Sequence, residues 1–282
     1  MDPMIARRTW RTAEPIHGMI YFSPEASAEY EKLGLTGQMG YFASRAAPMG
    51  TVPAEVVIAT FFNFRPALVR ESIPEAWNRT TRDEILAARV RGADGALRRS
   101  LGTAVESHEM TEAAELATRA AMTACEHLDG RPLFAGHASL PWPDAPHLRL
   151  WHAQTLLREF RGDGHIAALL TAGLTGLEAA ISHVATGEVP GAVMLSTRAW
   201  PAEEWQTGVD ALRARGLLEA DGDLALTERG REQRQWIEDA TDAASVVAYE
   251  PLGDEACARL RALARPWSKT IVDSGFLGIP RT

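Results

Sequence analysis

The chain has 282 residues, of which 46% are hydrophobic, and it carries a formal net charge of −8. This length and composition suffice for one large core or two closely packed cores, and they exclude a disordered or fibrous chain. The acidic balance argues against broad, non-specific binding of nucleic acid, which needs a positively charged surface.

No apolar run is long enough to span a bilayer, and the first residues, MDPMIARRTWRTAEP, lack the apolar segment of a secretion signal. We therefore expect a cytoplasmic protein with no membrane partner. The two cysteines, Cys125 and Cys257, have no metal-binding spacing, so neither a disulfide scaffold nor a zinc knuckle is expected.

In chain order, the sequence predicts helices over most of its length. The predicted helices are 4–18, 25–47, 53–60, 65–77, 81–91, 111–127, 147–160, 164–186, 190–197, 202–215, 227–246 and 254–264. Capping residues or prolines mark many of their starts. Segment 130–146, GRPLFAGHASLPWPDAP, is predicted to be rigid and non-helical because of its prolines. Strand signal is confined to 216–226, where Asp221-Gly222 is a hairpin-turn signal.

The chain also contains a candidate internal repeat. Residues 34–57 align with 173–193 with a two-residue gap, and both segments contain GLTG. The match predicts two related halves that superimpose. The expected domains are a degenerate N-terminal winged-helix half at 1–106, connecting helices and a Pro-rich loop at 107–162, a C-terminal winged helix at 163–248, and a C-terminal helix and tail at 249–282.

Segment 188–246 has the order of a winged helix, which is helix, helix, short apolar hairpin, helix. Its stretch LRARGLLEADGDLALTERGRE resembles MarR-like winged helix-turn-helix proteins. The motifs HGMIYF, GYFASRAAPMG and LWHAQTLLREFRGDGH resemble a group of actinobacterial helix-turn-helix proteins over almost the whole chain. These resemblances imply a mainly α fold of tandem winged-helix halves, with a short β-hairpin wing in the C-terminal half, but they imply no particular activity.

The predicted DNA-reading surface is acidic. A recognition helix and a wing face phosphates and need Arg or Lys. Residues 203–229 instead carry more acidic than basic side chains, namely Glu203, Glu204, Asp210, Glu219, Asp221, Asp223 and Glu228 against Arg213, Arg215 and Arg229. In the N-terminal copy the turn at 92–97 is too short for a useful wing. The arginines around it, Arg89, Arg91, Arg98 and Arg99, fit DNA affinity and solvated helix faces equally well.

Polar side chains concentrate between His137 and His165. If 147–160 is one helix, His152 and Glu159 lie on the same face of it. Asp163 is expected to be the N-cap of the following helix, after a sharp turn at 161–164.

Aligning the two halves places His17 and Glu14 opposite His165 and Glu159, and such positions meet near a pseudo-two-fold axis. The sequence therefore predicts a largely apolar pocket between the halves, with polar anchors from His, Arg and Glu. The residues expected to bind a ligand are His17, Tyr41, Ser44, Arg45, His137, Trp142, Trp151, His152, Glu159, Arg161 and His165, with Glu14, Ser182 and His183 as further lining residues. If the pocket is catalytic, the candidate acids and bases are His165, Glu159 and His17.

A histidine beside a glutamate can bind a metal, transfer a proton or hold a polar ligand. The chain has no HExxH motif, no two-His-one-carboxylate spacing and no Gly-rich phosphate loop, so no metal site is predicted and no cofactor can be named.

Three functions fit these observations. The first is a small-molecule-binding protein that takes a small hydrophobic or aromatic ligand. The second is a ligand-responsive transcription regulator, for which DNA is a possible partner that the charges disfavour. The third is an enzyme with a His and Glu acid–base pair. A monomer and a homodimer are both compatible with the sequence.

Overall fold

The computed structural model describes residues 1–275 of the chain, and this part is mainly helical, as predicted. The helices are α1 (Pro3–Gly18), α2 (Pro24–Glu31), α3 (Gln38–Ala46), α4 (Ala54–Phe61), α5 (Pro66–Arg79), α6 (Arg82–Leu101), α7 (His108–Ala124), α8 (Pro132–Ala138), α9 (Pro146–Thr171), α10 (Gly176–Val184), α11 (Gly191–Arg198), α12 (Ala202–Ala214), α13 (Glu228–Ser245) and α14 (Gly253–Asp273). Short 3-10 helices follow α1, α3, α6 and α13. The predicted C-terminal tail beyond residue 275 lies outside the described residues.

The predicted β-hairpin wing is not supported, because residues 1–275 contain no β-strand. The segment does fold back on itself at Gly222, whose φ is +81°, and a single antiparallel bridge joins Leu218 to Leu226. The backbone N–H of Glu219 donates to the Ala225 carbonyl at 3.0 Å. The paired segments are too short to extend this bridge into a ladder.

Two predicted helices are interrupted at glycines with positive φ. The predicted helix 25–47 is divided into α2 and α3, because Gly34 and Gly37 adopt φ values of +75° and +53°. The predicted helix 164–186 is divided in the same way at Gly173, with φ of +68°. A side chain with a Cβ adopts this conformation only at a cost, so glycine marks the helix ends.

Three predicted interruptions are absent. Residues 92–97 lie inside the continuous helix α6, and part of segment 130–146 forms the helix α8. Residues 161–164 lie inside α9, so the prediction that Asp163 begins a new helix is wrong. At Gly92 an added Cβ would lie 2.7 Å from the Cα atom of Ala26, so this glycine permits close packing of α6 against α2 and does not form a turn.

The described chain divides into two compact units. Unit 1 comprises Met1–Val52, Glu75–Asp163 and the described residues from Asp242 onward. In it, α1 and α7 pack on α14, and α2 packs on α6. Its core includes the fully buried side chains Ile16, Met19, Ile85, Leu97, Phe134, Leu150 and Phe160.

Unit 2 comprises Pro53–Pro74 and Gly164–Thr241. Its core includes Leu169, Leu174, Ile181, Val209, Leu212, Leu217, Leu218, Leu226 and Ile237. At Gly176 an added Cβ would lie 1.8 Å from the carbonyl oxygen of Phe62, the residue that follows α4. The start of α10 therefore touches this backbone directly.

The two GLTG segments share helix ends but not surroundings. In each copy the leucine N–H donates to the carbonyl five residues earlier, at 3.0 Å for Leu35 and 3.1 Å for Leu174. However, α3 packs against α2 and α6 in unit 1, whereas α10 packs against α11 and α12 in unit 2. The similarity is therefore local, and the predicted duplication of the whole half is not supported.

Within residues 1–275 no single helix has the length and apolar composition needed to cross a membrane, although α9 and α10 meet that test together as a bent pair.

Candidate functional site

A cavity of about 380 Å³ lies within unit 1, lined by residues of α6, of α8 with the loop that follows it, and of α9. The surface of the cavity is mostly apolar, although half of the lining residues are polar, among them Arg89, His137, His152 and Thr155. The apolar lining residues are Leu86, Ala87, Val90, Leu140, Pro141, Pro143 and Trp151. A predominantly apolar cavity with a few polar groups is typical of a small-molecule site.

Local sequence sets the positions of the lining side chains on two helices. Helix α6 begins with a capping box between Thr81 and Glu84, and Leu86, Arg89 and Val90 follow at the three- and four-residue spacing that places them on one face. On α9, Trp151 and Thr155 have the same four-residue spacing.

Helix α8 is held by a carboxylate from elsewhere in unit 1. Pro132 occupies the first position of this short helix, and the Phe134 N–H donates to Oδ2 of Asp163 at 2.9 Å. Asp163 thus satisfies a backbone donor at the start of α8, where helices have N–H groups without an intrahelical partner. Arg131 donates to the Phe160 carbonyl at 3.0 Å and completes the attachment of α8 to α9.

Four residues that line the cavity carry buried nitrogen atoms without a hydrogen-bond partner among the described residues. These atoms are Nη1 and Nη2 of Arg89, Nε2 of His137, Nε1 of Trp151 and Nε2 of His152. The four residues are 2%, 1%, 3% and 4% exposed, respectively. A buried polar group without a partner costs about 1–3 kcal/mol, and more when it is charged. Four such groups around one cavity need an explanation beyond folding.

Burial also keeps the two histidines of the cavity neutral. It lowers the pKa of His152 to about 4, and the nearby Arg89 guanidinium contributes to this shift. Burial lowers the pKa of His137 well below its ordinary value, again with a contribution from Arg89. At neutral pH each ring therefore has one N–H donor and one acceptor nitrogen.

Arg89 lies between two aromatic rings. Its guanidinium carbon is 5.6 Å from the centroid of the Tyr21 ring and 5.2 Å from that of Trp151. Cation–π contacts of this kind stabilise the charge from the ring faces. The Tyr30 hydroxyl lies near Arg89, which opposes the rise in the pKa of Tyr30 caused by burial, but neither terminal nitrogen of Arg89 makes a hydrogen bond within the described residues.

A second buried polar network includes several of the residues predicted to bind a ligand. Glu159 accepts hydrogen bonds from Arg45 at 3.0 Å and from Arg158 at 2.6 Å, and Arg45 also donates to the Tyr41 hydroxyl at 2.7 Å. Burial by itself would raise the pKa of Glu159, but the guanidinium groups of Arg158 and Arg45 outweigh it and hold that pKa well below its usual range. Glu159 is a firmly ionised carboxylate with both oxygens paired.

His17 belongs to the same region of unit 1. The Thr155 hydroxyl donates to the Trp151 carbonyl at 2.9 Å, so its oxygen accepts from Nδ1 of His17, also at 2.9 Å. The remaining His17 nitrogen, Nε2, then accepts from the Tyr21 hydroxyl at 2.9 Å. This neutral form agrees with burial, which lowers the pKa of His17 well below its ordinary value.

Glu14 has the opposite shift, since burial raises its pKa to about 7 despite the opposing charge of Arg158. The carboxyl group of Glu14 is therefore partly protonated at neutral pH.

The other predicted site residues are distributed over several places. Trp142 contacts the His152 ring edge to face, with centroids 4.8 Å apart. Arg161 pairs with Asp242 at 2.6 Å. His165 belongs to unit 2, where its Nδ1 is 2.9 Å from the Thr241 hydroxyl.

The remaining predicted residues lie outside the larger cavity. Tyr41 and Ser44 line a smaller cavity of about 150 Å³ in unit 1. In unit 2, His183 lies 3.7 Å from Glu188, and Ser182 is buried. His137, Trp151 and His152 are thus the predicted residues that line the larger cavity.

The position of Arg89 in the cavity was not predicted from the sequence, which indicates only a cluster of arginines around an expected turn. Arg89 lies instead inside α6, next to the buried residue Ala88. A usable signal was present, because Ile85 and Ala93 stand four residues before and after Arg89 and mark an apolar helix face.

No three His, Cys, Asp or Glu side chains come together as possible metal ligands in residues 1–275. Of the predicted acid–base pair, Glu159 accepts hydrogen bonds from two arginines, and Nδ1 of His165 is 2.9 Å from the Thr241 hydroxyl. Their role as acid and base stays a prediction.

Unit 2 contains the helix order of a helix-turn-helix, with α11 and α12 followed by the bridged segment and α13. Several arginines here are bonded to nearby protein groups. Arg213 donates to the Glu219 carbonyl at 3.1 Å, and Arg215 pairs with Glu178 at 3.1 Å. Arg229 donates to the Arg215 carbonyl at 3.0 Å.

A profile described as "Helix-turn-helix family" matches residues 6–278, and the chain belongs to this family. No curated protein and no solved structure matches the chain.

Proposed function

We propose that this helix-turn-helix family protein binds a small, flat, largely apolar molecule in the cavity of unit 1. The observation that carries the proposal is the coincidence of an apolar cavity of about 380 Å³ with four lining residues whose buried nitrogen atoms have no partner. The volume lies within the range of about 300–1,000 Å³ for ligand pockets.

The chemistry of the lining supports a planar occupant. Trp151 and the prolines Pro141 and Pro143 present flat or rigid apolar surface, and the neutral histidines add directional hydrogen-bonding groups. A ligand whose polar atoms reach these nitrogens would remove their desolvation cost, whereas the free protein bears that cost. The cytoplasm remains the proposed compartment.

A cavity-filling variant tests this proposal. Ala87 lines the cavity and is exposed, so Ala87→Trp should occupy the space without disturbing the core. Isothermal titration with naphthalene derivatives is expected to give binding to the wild type and strongly weakened binding to Ala87→Trp. The matched control is Ala28→Trp, at an exposed alanine of α2 that does not line the cavity.

Two results contradict the proposal. One is the absence of binding by every naphthalene probe at millimolar concentration. The other is equal binding by the two tryptophan variants, which would place the probe elsewhere on the protein. Native mass spectrometry of the purified wild type provides a second readout, because a co-purified small molecule should be absent from Ala87→Trp.

The second proposed function is DNA binding by unit 2, as in a MarR-like transcription regulator. Membership of the helix-turn-helix family and the order of α10 to α13 support it. The acidic side chains of α12 and the internal bonds of Arg213 and Arg215 weigh against strong phosphate contact.

Fluorescence anisotropy with a random duplex, over a range of salt concentrations, distinguishes these cases. Salt-sensitive binding that Arg213→Ala weakens would support the regulator. Absence of binding at low salt to random duplex would contradict DNA binding through the phosphate backbone, since that interaction supplies nearly all non-specific affinity. Repeating the titration with a bound naphthalene probe measures whether ligand and DNA are coupled.

A further inference from the structure

The cavity of unit 1 contains a buried cation for which the described residues supply no hydrogen-bonded carboxylate. Arg89 is 2% exposed, and neither of its terminal nitrogens has a hydrogen-bond partner among residues 1–275. A guanidinium group is always charged in proteins and presents parallel N–H groups that match the two oxygens of a carboxylate. We therefore expect Arg89 to determine which class of ligand the cavity binds.

The acidic residues near Arg89 are engaged with other groups or are partly neutral. Glu159 is paired with Arg45 and Arg158. Asp83, which lines the cavity, is mostly exposed and pairs with Arg82 at 3.1 Å. The pKa of Glu14 is raised to about 7, so its negative charge is incomplete at neutral pH.

The other polar groups around the cavity add donors and no negative charge. The indole N–H of Trp151 can only donate, and it has no acceptor within the described residues. His137 and His152 are neutral, because burial lowers both of their pKa values. Each ring can present its unpaired Nε2 as a donor in one tautomer.

We propose that the cavity selects a flat aromatic carboxylate, with the guanidinium group of Arg89 pairing with the carboxylate and the Trp151 indole N–H as an additional donor. The inference rests on the proposed function, since it names the class of ligand for the same cavity. The ring system of the ligand would lie against the apolar lining from α6 and the loop after α8. The charged hydrogen bond then forms at a guanidinium group that is 2% exposed, and such bonds are stronger at buried groups than in water.

A series of probes with one ring system and different charges tests this selectivity. The probes are 2-naphthoate, the neutral 2-naphthamide and the cationic 2-naphthylmethylammonium, each titrated calorimetrically into the full chain at neutral pH. We expect 2-naphthoate to bind about ten- to a hundredfold more tightly than the amide, the ratio that corresponds to one charge-assisted hydrogen bond. The cation should bind most weakly.

Variants of α6 assign the effect to one side chain. Arg89→Met removes the charge at similar length and should reduce 2-naphthoate binding to the level of the amide. Arg89→Lys keeps the charge without the parallel N–H groups and should retain part of the preference. The control is Arg91→Met, two residues along α6, where the arginine is half exposed and pairs with Glu29 at 2.6 Å. It should bind all three probes as the wild type does.

The outcomes separate this inference from the function on which it rests. If 2-naphthamide binds as tightly as 2-naphthoate, and Arg89→Met leaves both unchanged, the anion selectivity is wrong while ligand binding in the cavity stands. If the cation binds most tightly, the selectivity is likewise overturned. If no probe binds to the wild type, the proposed function itself fails, and the ligand class with it.

Discussion

Replacing Arg89 with methionine should separate ligand binding from folding. A buried arginine that contributes to the fold has a paired charge, and its removal is strongly destabilising. Arg89 has no partner for its terminal nitrogens within the described residues, so its removal should leave the free energy of unfolding of the unliganded protein nearly unchanged. Arg45 is the matched comparison, since it is also buried in unit 1 but is bonded to Glu159 at 3.0 Å.

The magnitude follows from three contributions. Removing a buried charged group without a partner relieves at least about 1–3 kcal/mol. Losing the cation–π contacts with Tyr21 and Trp151 costs about 0.5–2 kcal/mol each. A methionine sulfur beside the same rings recovers about 0.3–1.5 kcal/mol. We therefore expect the free energy of unfolding of Arg89→Met to be no more than about 1 kcal/mol below that of the wild type. Arg45→Met leaves Glu159 with one of its two arginines and should lose about 3–5 kcal/mol, as when one member of a buried ion pair is removed.

The assay is denaturant unfolding without ligand, followed by both tryptophan fluorescence and circular dichroism. Two probes are needed because the chain has two compact units, and a single transition must be demonstrated before free energies are compared. If Arg89→Met loses as much stability as Arg45→Met, then Arg89 is a structural residue and the reasoning from its unpaired nitrogens is refuted.

Three further predictions address the histidines, the helix contacts and α8. His152 has a pKa lowered from 6.5 to about 4, so the stability that its neutral form contributes is present above pH 6.5 and is lost as the pH falls toward 4. His152→Gln should therefore reduce this acid-induced loss of stability by up to about 1.4 kcal/mol per pH unit in this window, as measured by denaturant unfolding at a series of pH values. Gly176→Ala should destabilise unit 2 by about 3 kcal/mol or more, because the added Cβ would lie 1.8 Å from a backbone carbonyl oxygen. Gly162→Ala inside α9 should instead stabilise the protein by about 0.5–1 kcal/mol, because alanine favours a helix more than glycine does. Equal shifts of the melting temperature in the two variants would contradict the packing at Gly176. Asp163→Ala should lower the free energy of unfolding by about 1–2 kcal/mol, because it removes the hydrogen bond to the first turn of α8. It should also weaken the binding of naphthalene derivatives. Unchanged binding in calorimetry would show that α8 does not shape the cavity.

The sequence by itself determined much of the local structure. Prolines and capping residues predicted the starts of several helices, and those at Pro24, Ala54 and Ala202 are within one residue of the prediction. These signals are reliable because a cap acts on backbone groups two or three residues away. The sequence also showed a concentration of polar side chains between His137 and His165, and the fold buries His137, His147 and His152 among them.

Only the tertiary structure decided where helices continue and which polar groups pair. The glycines in RGDG stay helical inside α9, although the same four residues predicted a sharp turn. The partners of the buried groups come from distant segments, since Arg45 and Glu159 are 114 residues apart and His17 and Thr155 are 138 residues apart. Hydrogen-bond partners at such separations depend on which helices pack together in the folded chain. The local hydrophobic periodicity of the sequence does not predict that packing. For the same reason the charge of Arg89 could be counted in the sequence, but its lack of a partner could be seen only in the fold.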